Sequence, residues 1–219
     1  VRTPLNAIIG FSQVMMSESF GPIGNDRYRQ YAKDIHASGE HVVSLVNDLL
    51  DLSKIAAGRL DLNFGSVDVN AVVAGTVAMI QPQANANRVI VRSQLAQPLP
   101  SVVADERSLR QIMLNLLSNA ARYTEAGGQV VASTTLSERG EVVIRVSDTG
   151  IGMAEEEIRR AMEPFRQIPG PRSGGGTGLG LPLTKALVEA NRAAFAIRSE
   201  PRKGTLVEVV FPSTRVLAE

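Results

Sequence analysis

Two asparagines stand at positions 115 and 119, in a stretch whose apolar residues follow a helical period. This spacing puts both amides on one face of the predicted helix, which Asp105 is suited to cap. An amide oxygen is a hard, neutral ligand suited to Mg²⁺, an ion that is usually also coordinated by substrate phosphates. Arg122 and Tyr123 follow at the helix end, able to offer a cation to phosphate and a ring edge to a base or ribose. Because isolated Asn pairs are usually ordinary surface residues, the pair gains meaning only with its neighbours.

An Asp-x-Gly-x-Gly motif, Asp148 to Gly152, directly follows a predicted strand. A carboxylate at a strand end can accept a hydrogen bond from an exocyclic amine, and glycines let the backbone approach a flat ring closely. A strand-ending Asp-Gly turn without function is the alternative. The letters Asp-Thr-Gly also match the aspartic-protease motif, but that chemistry needs two carboxylates sharing a proton, and the sequence has no second copy.

A glycine-rich segment, Gly174 to Gly180, leads straight into an apolar helix. Backbone N–H groups at a helix start attract anions, and the helix dipole adds to this, so the segment is predicted to cradle phosphate. It lacks the ending of a P-loop and the preceding strand of a dinucleotide fingerprint. A flexible linker is the alternative. Between the motifs, Glu163 to Phe165 and the Gly/Pro-rich stretch Arg166 to Ser173 have the length of an active-site lid.

Two amphipathic helices are predicted in the first third of the chain, one ending near Ser17 and one running from about Arg27 to Ala57. The second keeps a seven-residue a/d spacing with one weak position, Ser38. Its apolar a/d residues are Ile35, Val42, Leu45, Leu49 and Leu52. A two-helix hairpin cannot bury both apolar stripes alone, so we expect it to pair with a second copy as a four-helix bundle. An intrachain helical pair packed on the rest of the protein is the alternative.

From about Leu60 onward the pattern changes to alternating strands and helices. The predicted strands are Val89 to Val91, Val102 to Val103, Val130 to Leu136, Glu141 to Ser147, Ala196 to Ser199 and Leu206 to Phe211. The predicted helices cover about residues 69 to 81, 106 to 121, 154 to 161 and 177 to 190. Antiparallel strands with helices between them predict an α+β fold, in which helices cover one face of a sheet.

The composition is that of a folded chain without strong charge bias. Of 219 residues, 44% are apolar, and 23 basic and 22 acidic residues leave a formal net charge of +1. The interspersed charges predict no nucleic-acid partner. The apolar runs fall short of the roughly 20 residues of a membrane span, so we expect a cytoplasmic fragment without membrane contact, whether or not the full-length protein is anchored. Zero Cys excludes disulfides and a Cys nucleophile, and two His leave little material for a zinc site.

The four motifs, taken together and in this order, resemble the N, G1, F and G2 boxes of sensor histidine kinases. Upstream, residues 1–11 resemble the H box from just after its His-Glu pair, and residues 47–54 resemble the end of the dimerisation domain. The connector Phe20 to Asn25 and the stretch Ile35 to Gly39 are most similar to the PleC, DivJ and DivL group of cell-cycle kinases. The resemblance implies a dimerisation and phosphotransfer hairpin over residues 1–62. It implies an ATP-binding α/β sandwich of the Bergerat type over residues 63–219, with a mixed, mainly antiparallel sheet.

The resemblance also implies a role for each matching position. Asn119 would be the Mg²⁺ ligand and Asn115 its catalytic partner near the phosphates, Arg122 a phosphate contact, and Asp148 the reader of the adenine amine. The remaining implied ATP-binding residues are Tyr123, Gly150, Gly152, Phe165 as the lid anchor, Gly176, Thr177, Gly178, Leu179, Gly180 and Leu181. Thr3 falls where the family uses Thr or Asn to help dephosphorylate a response regulator, the expected partner.

The residue at position 115 separates kinases from related ATPases of the Hsp90, gyrase and MutL type. Those ATPases place there a Glu that serves as a general base for water. The Asn115 amide cannot do this, which favours a kinase that relies on positioning and charge neutralisation.

Several departures from the family pattern keep a second hypothesis open, a kinase-like scaffold that binds a response regulator through an unconventional phosphoacceptor. The usual phosphoacceptor position falls before Val1, and His36 and His41 lie outside its sequence context. Asn191 stands where the family commonly has a His-Gly-Gly turn, and we expect it to be able to take a left-handed conformation. Pro169 and Pro171 would stiffen the lid.

Overall fold

The computed structural model describes residues 2–167 and 177–217. The chain forms two compact units, residues 1–53 and 54–219. The functional division into residues 1–62 and 63–219 stays a prediction. Among the described residues, no helix combines the length and apolar character needed to cross a membrane.

The first unit is built from two helices, α1 (Arg2–Met16) and α2 (Asp26–Ala56), as the apolar periodicity predicted. The helices approach closely where Gly39 faces Ile9, because a Cβ atom at Gly39 would lie only 2.7 Å from Ile9 Cγ1. Next to this contact, His36 Nδ1 lies 3.3 Å from both Ser12 Oγ and the Ile9 carbonyl oxygen. His36 therefore contributes to the packing of the hairpin.

The second unit contains a five-stranded mixed sheet, which confirms the predicted α+β class. Its strands are β2 (Ile90–Leu95), β4 (Gln129–Leu136), β5 (Val142–Asp148), β6 (Ala194–Glu200) and β7 (Gly204–Phe211), in the order β2-β4-β5-β7-β6. Only the β2–β4 pair is parallel, and the other three pairs are antiparallel. A separate antiparallel pair joins β1 (Phe64–Val67) to β3 (Val102–Asp105).

The helices of this unit are α3 (Val69–Ala86), α4 (Glu106–Tyr123), α5 (Glu155–Ala161) and α6 (Gly180–Ala190), followed by a 3₁₀ turn at Ser213–Arg215. Helix α4 packs against both α3 and α6, and all three contact the sheet. Large side chains from α4, α6, β5 and β7 are fully buried, among them Leu109, Ile112, Met113, Leu117, Ile144, Leu183 and Phe211. The apolar stripe predicted for α4 is thus the centre of the core.

The predicted end of α3 at residue 81 was wrong, since the helix continues through Pro82 to Ala86. Proline removes one backbone donor and usually ends a helix at the preceding residue. Here Ile80 and Ala84 are both buried on either side of Pro82. Their packing against the core offsets the lost hydrogen bond, so tertiary contacts override the local signal.

Two further element boundaries also differ from the sequence predictions. Strand β1 was not predicted, because Phe64–Val67 is short and lacks alternation; its ladder to β3 makes it a strand. The last predicted helix was to begin at residue 177, but α6 begins at Gly180, after Leu179 as its N-cap residue. The described residues just before it, Thr177 to Leu179, are not helical.

Candidate functional site

Helix α4 carries the first half of the candidate site. Asp105 caps it as predicted, its Oδ1 accepting a hydrogen bond from Ser108 N at 2.7 Å. From the middle of the helix, Asn115 Nδ2 reaches α6, lying 3.5 Å from the Gly180 carbonyl oxygen and 3.3 Å from Thr184 Oγ1. The predicted Asn pair therefore lies beside the start of the helix that follows the glycine-rich segment.

Asn119 lies one turn further along α4 and is half-buried. Its Nδ2 would be 3.5 Å from a Cβ atom at Gly180, which is ordinary van der Waals contact, so the amide lies directly beside the start of α6. Within residues 2–167 and 177–217, the Asn119 amide has no hydrogen-bond partner. This amide is available for a ligand, and its neutral oxygen suits a hard cation such as Mg²⁺.

The end of α4 meets the loop that follows β5. Arg122 and Tyr123 are both half-buried in the last turn of the helix. The Tyr123 carbonyl oxygen accepts a hydrogen bond from Ile151 N at 3.2 Å. A Cβ atom at Gly150 would lie 2.5 Å from the same carbonyl oxygen, so only glycine fits this close approach. Helix α4 and the Asp-x-Gly-x-Gly motif are therefore in direct contact.

Asp148 ends β5 with one carboxylate oxygen held by the backbone. Its Oδ1 accepts hydrogen bonds from Gly150 N at 2.9 Å and from Thr205 N at 3.2 Å. No donor among the described residues bonds to Oδ2. Burial raises the pKa of this carboxyl above its ordinary value, and the two backbone donors lower the pKa by less. The site thus presents a fixed, half-buried acceptor of the kind that an exocyclic amine requires.

Because the pKa of Asp148 is raised in the folded state, the charged carboxylate lowers stability above that pKa. The stabilising contribution is present at low pH and is lost as pH rises through the folded-state pKa. We expect Asp148→Asn, which keeps the Oδ1 acceptor without the charge, to gain stability relative to wild type as pH rises from the ordinary carboxyl pKa through the raised folded-state pKa. Urea unfolding of both proteins across this range measures the difference in their free energies of unfolding. A difference that does not change with pH would contradict a raised pKa for Asp148.

Gly152 completes the loop after β5 in a conformation that other residues rarely adopt. Its φ is +64°, and a Cβ atom there would collide with the carbonyl oxygen of Glu200. The loop can therefore pass this closely over β6 only with glycine. Met153 N donates to Ser199 Oγ at 2.8 Å, which fixes the same loop to β6 from the next residue.

The predicted lid anchor, Phe165, is joined by its backbone to the glycine-rich segment. Phe165 N donates to the Gly178 carbonyl oxygen at 2.9 Å, while the Phe165 side chain is 59% exposed. Thr177 Oγ1 accepts a hydrogen bond from Leu179 N at 3.1 Å, and Leu179 is fully buried. Leu181 is half-buried within α6.

Some residues named from the sequence fall outside this arrangement. Gly176, and Pro169 and Pro171 of the lid, lie outside the described residues. Thr3 lies in the first turn of α1, in the first unit, with an exposed side chain.

Gly178 has a φ of +69°, and a Cβ atom there would lie 2.7 Å from the Phe165 carbonyl carbon. Gly140 has a similar φ of +74° but open surroundings, its nearest neighbour being Ser213 Cβ at 3.6 Å. Both substitutions to Ala carry the left-handed cost of about 1–2 kcal/mol. We expect only Gly178→Ala to weaken ATP binding as well, by about tenfold, because its Cβ atom would displace Phe165, the predicted lid anchor. Calorimetric titration of the two variants with ATP tests this. Equal ATP affinities for Gly178→Ala and Gly140→Ala would contradict the prediction.

Asn191 does not take the left-handed conformation expected from the sequence. Its φ is −79°, and the left-handed residue is Arg192, with a φ of +58°. Asn191 is instead fully buried, and its side chain bonds to residues at the start of α4. This role was missed, because those partners are more than 80 positions away along the chain. The one available signal was a polar residue at the end of an apolar helix.

Comparison with known families agrees with this geometry. Residues 104–215 match the family described as "Histidine kinase-, DNA gyrase B-, and HSP90-like ATPase", and residues 1–58 match the "His Kinase A (phospho-acceptor) domain". The chain belongs to the sensor histidine kinases and holds the two domains of their core.

Curated relatives place it near kinases of cell-division control. It is 58% identical over 229 aligned residues to the cell-division control histidine kinase PdhS of Brucella suis, and equally to that of Brucella abortus. These alignments cover 100% of this chain and 22% of each relative, so the chain spans about a fifth of their length. The similarity to the cell-cycle kinases predicted from the connector and α2 is confirmed.

Solved structures of histidine kinases share the fold. Full-length ShkA, crystallised in complex with AMPPNP, superposes with a TM-score of 0.82 at 31% identity, over 100% of this chain and 44% of that one. The histidine kinase AdeS of Acinetobacter baumannii gives a TM-score of 0.70 at 22% identity, over 98% of this chain and 97% of that one. The second likeness, at this identity, concerns the fold alone.

Proposed function

We propose that this chain binds Mg·ATP within residues 105–181 and transfers the γ-phosphate to a histidine, for relay to a response regulator. The proposal rests on two polar side-chain groups, at opposite ends of one site, that are available to a ligand. Asp148 Oδ2 and the Asn119 amide have no partners among the described residues, and the loop after β5 contacts the end of α4 between them. One group suits a base amine and the other a phosphate-bound cation.

At the adenine end, Asp148 Oδ2 would accept a hydrogen bond from the exocyclic amine. Gly150 and Gly152 would shape the adenine pocket, because the loop after β5 packs against the Tyr123 and Glu200 carbonyl groups where neither position has space for a Cβ atom. Tyr123 would border the base or ribose. Adenine specificity follows, because a carboxylate accepts a hydrogen bond from an amine but repels the carbonyl that guanine carries at the corresponding position.

At the phosphate end, Asn119 would hold Mg²⁺, with Asn115 and Arg122 beside the phosphates. A bound Mg²⁺ would neutralise charge on the phosphates during transfer. The residues from Gly176 to Leu181 would cradle phosphate oxygens with backbone N–H groups at the start of α6. Phe165, bonded to Gly178, would connect the lid to this cradle.

Asn115 would make the site a transferase instead of a hydrolase. Its amide bonds weakly to α6, at 3.3 Å from Thr184 Oγ1, and it offers no basic atom to a water molecule. Without a general base to take a proton from water, the site favours a nucleophile that attacks through an unprotonated atom, as a neutral imidazole does. The protein's contribution is then to align the γ-phosphate with the incoming ring.

The hairpin would form a homodimer through the apolar groove between its helices. This groove is lined by Leu5, Ile8, Asp34, Ile35, Ser38, Gly39 and Val42. In the single chain, the a/d residues Ile35, Val42 and Leu49 remain 46%, 39% and 43% exposed. A second copy, pairing as a four-helix bundle, would cover them. Thr3 would act near the upstream phosphoacceptor when the regulator is dephosphorylated.

Val42→Ala tests the proposed dimer face. Val42 is already partly covered within the hairpin, so its truncation removes only part of its apolar contact area in each copy of the dimer. For the two copies together, we expect the dimer dissociation constant to rise by about tenfold. Analytical ultracentrifugation measures it. Lys33→Ala, at an exposed position of the same helix, is the matched control and should leave the constant unchanged. Equal dissociation constants for the two variants would contradict this assignment of the face.

Phosphorylation of the chain extended upstream through its phosphoacceptor position tests the proposed activity. With γ-labelled ATP and Mg²⁺, we expect acid-labile label on the kinase, as a phosphohistidine requires, and its passage to a matched response regulator. Nucleotide binding with no label on either protein would contradict kinase activity and would favour the scaffold.

A further inference from the structure

Asn191 forms a buried polar junction between the two helices that bear the phosphate half of the site. It ends α6 and is 0% exposed. Its Oδ1 accepts a hydrogen bond from Asp105 N at 2.8 Å, and its Nδ2 donates to Ser108 Oγ at 2.7 Å and to the Leu187 carbonyl oxygen at 2.9 Å. One side chain thus ties the C-terminus of α6 to the N-terminus of α4.

The two helices run side by side between two such junctions. Further towards the start of α6, Asn115 Nδ2 from the middle of α4 lies 3.3 Å from Thr184 Oγ1 and 3.5 Å from the Gly180 carbonyl oxygen, which are longer contacts than any made by the Asn191 side chain. The end that carries Asn119 and Gly180 therefore has the longer polar contacts between the two helices. Its alignment depends on how the helices are fixed at the far end, since a rigid helix transmits a shift along its whole length.

We propose that Asn191 is a positioning residue for phosphate binding, fixing α6 against α4 so that Gly180, at the start of α6, meets Asn119. This inference rests on the proposed nucleotide function. Asn191 touches no ligand in this scheme and acts through the placement of α6. Removing its amide leaves the Asp105 N–H and the Ser108 hydroxyl without their buried partner, and the helix ends are free to separate.

The adenine half of the site is independent of this junction. Asp148 is held by Gly150 N and Thr205 N, and Gly150 packs on Tyr123, so none of these contacts involves α6. A misplaced α6 should therefore reduce the affinity for phosphate-bearing ligands and spare the affinity for adenosine. A purely structural residue would lower both, through loss of folded protein.

The experiment compares Mg·ATP and adenosine on the 219-residue chain by displacement of a fluorescent nucleotide, at a temperature where all variants are folded by circular dichroism. For Asn191→Ala we expect Mg·ATP to bind about tenfold more weakly and adenosine to change by less than about twofold. Ser108→Ala removes the acceptor of the Asn191 Nδ2 bond, together with the hydrogen bond from Ser108 Oγ to the Asp105 carbonyl oxygen at 2.9 Å, and should weaken Mg·ATP by about threefold. If Asn191→Ala does not fold, Ser108→Ala alone is used to test the proposal.

Asn70→Ala is the matched control. Asn70 also makes two amide hydrogen bonds, to the Ala96 carbonyl oxygen at 2.8 Å and with Thr134 Oγ1 at 2.7 Å, but these join α3 to the sheet side of the unit. It should leave the ratio of the two affinities unchanged. Wild-type affinity for Mg·ATP in the Asn191 and Ser108 variants, or equal losses for both ligands, would overturn the inference alone. A wild type that binds neither ligand would overturn the proposed function and the inference with it.

Discussion

Asp148→Asn is expected to weaken Mg·ATP binding by about 10- to 100-fold, the loss expected for a hydrogen bond to a charged acceptor. The amide can still accept from Gly150 N and Thr205 N through its oxygen, so the loop should keep its shape. Its NH₂ group would then face the adenine amine, placing two donors against each other. The same NH₂ group can donate to the guanine carbonyl, so the preference for ATP over GTP should fall as well.

Calorimetric titration with ATP and with GTP measures both effects in one series. Glu138→Gln makes the same change from carboxylate to amide at an exposed position in the turn between β4 and β5 and is the control. It should leave both affinities unchanged. If Asp148→Asn binds ATP as tightly as wild type, Asp148 does not read the adenine amine.

Asn119→Ala is expected to slow phosphorylation by about 10²- to 10³-fold, the range seen when one group that stabilises transition-state charge is removed. The Asn119 amide has no hydrogen-bond partner within the described residues, so its loss should cost little stability. Asn119→Asp keeps an oxygen ligand for Mg²⁺ and should retain more of the rate than Asn119→Ala. The rate is followed with γ-labelled ATP on the chain extended upstream through its phosphoacceptor.

Asn85→Ala is the control for this prediction, since Asn85 is exposed on α3 and its side-chain amide accepts a hydrogen bond from Gln81 Nε2 at 2.9 Å, away from the candidate site. It should phosphorylate at the wild-type rate. A rate for Asn119→Ala equal to that of Asn85→Ala would show that the amide at position 119 holds no essential cation.

The parts of the site that could be predicted from sequence depend on short-range spacing. The spacing of four residues from Asn115 to Asn119 puts both on one helical face, and Asp105 caps that helix through a residue three positions on. The Asp148 to Gly152 motif likewise forms its own turn, with Gly150 N bonded to Asp148 Oδ1. In each case the interacting groups are neighbours along the chain, so local rules suffice.

The parts that could not be predicted depend on contacts between distant residues. The bond from Asp105 N to Asn191 Oδ1 spans 86 positions, and nothing local to Asn191 distinguishes a buried junction from a turn. By local rules Pro82 predicts the end of a helix, yet core packing stabilises α3 as far as Ala86. Strand β1 exists because β3 supplies its partner. Tertiary contacts decide these features after the local preferences have been set.

Photoaffinity labelling with an azido-adenine analogue of ATP, followed by peptide mapping, tests the location of the nucleotide site most directly. The azide sits on the base, so we expect label in the peptides that contain Tyr123 and the loop from Asp148 to Met153. Excess Mg·ATP should suppress the label, and GTP should suppress it far less. Label confined to other peptides, or label that ATP does not suppress, would contradict the assignment of residues 105–181 as the ATP site.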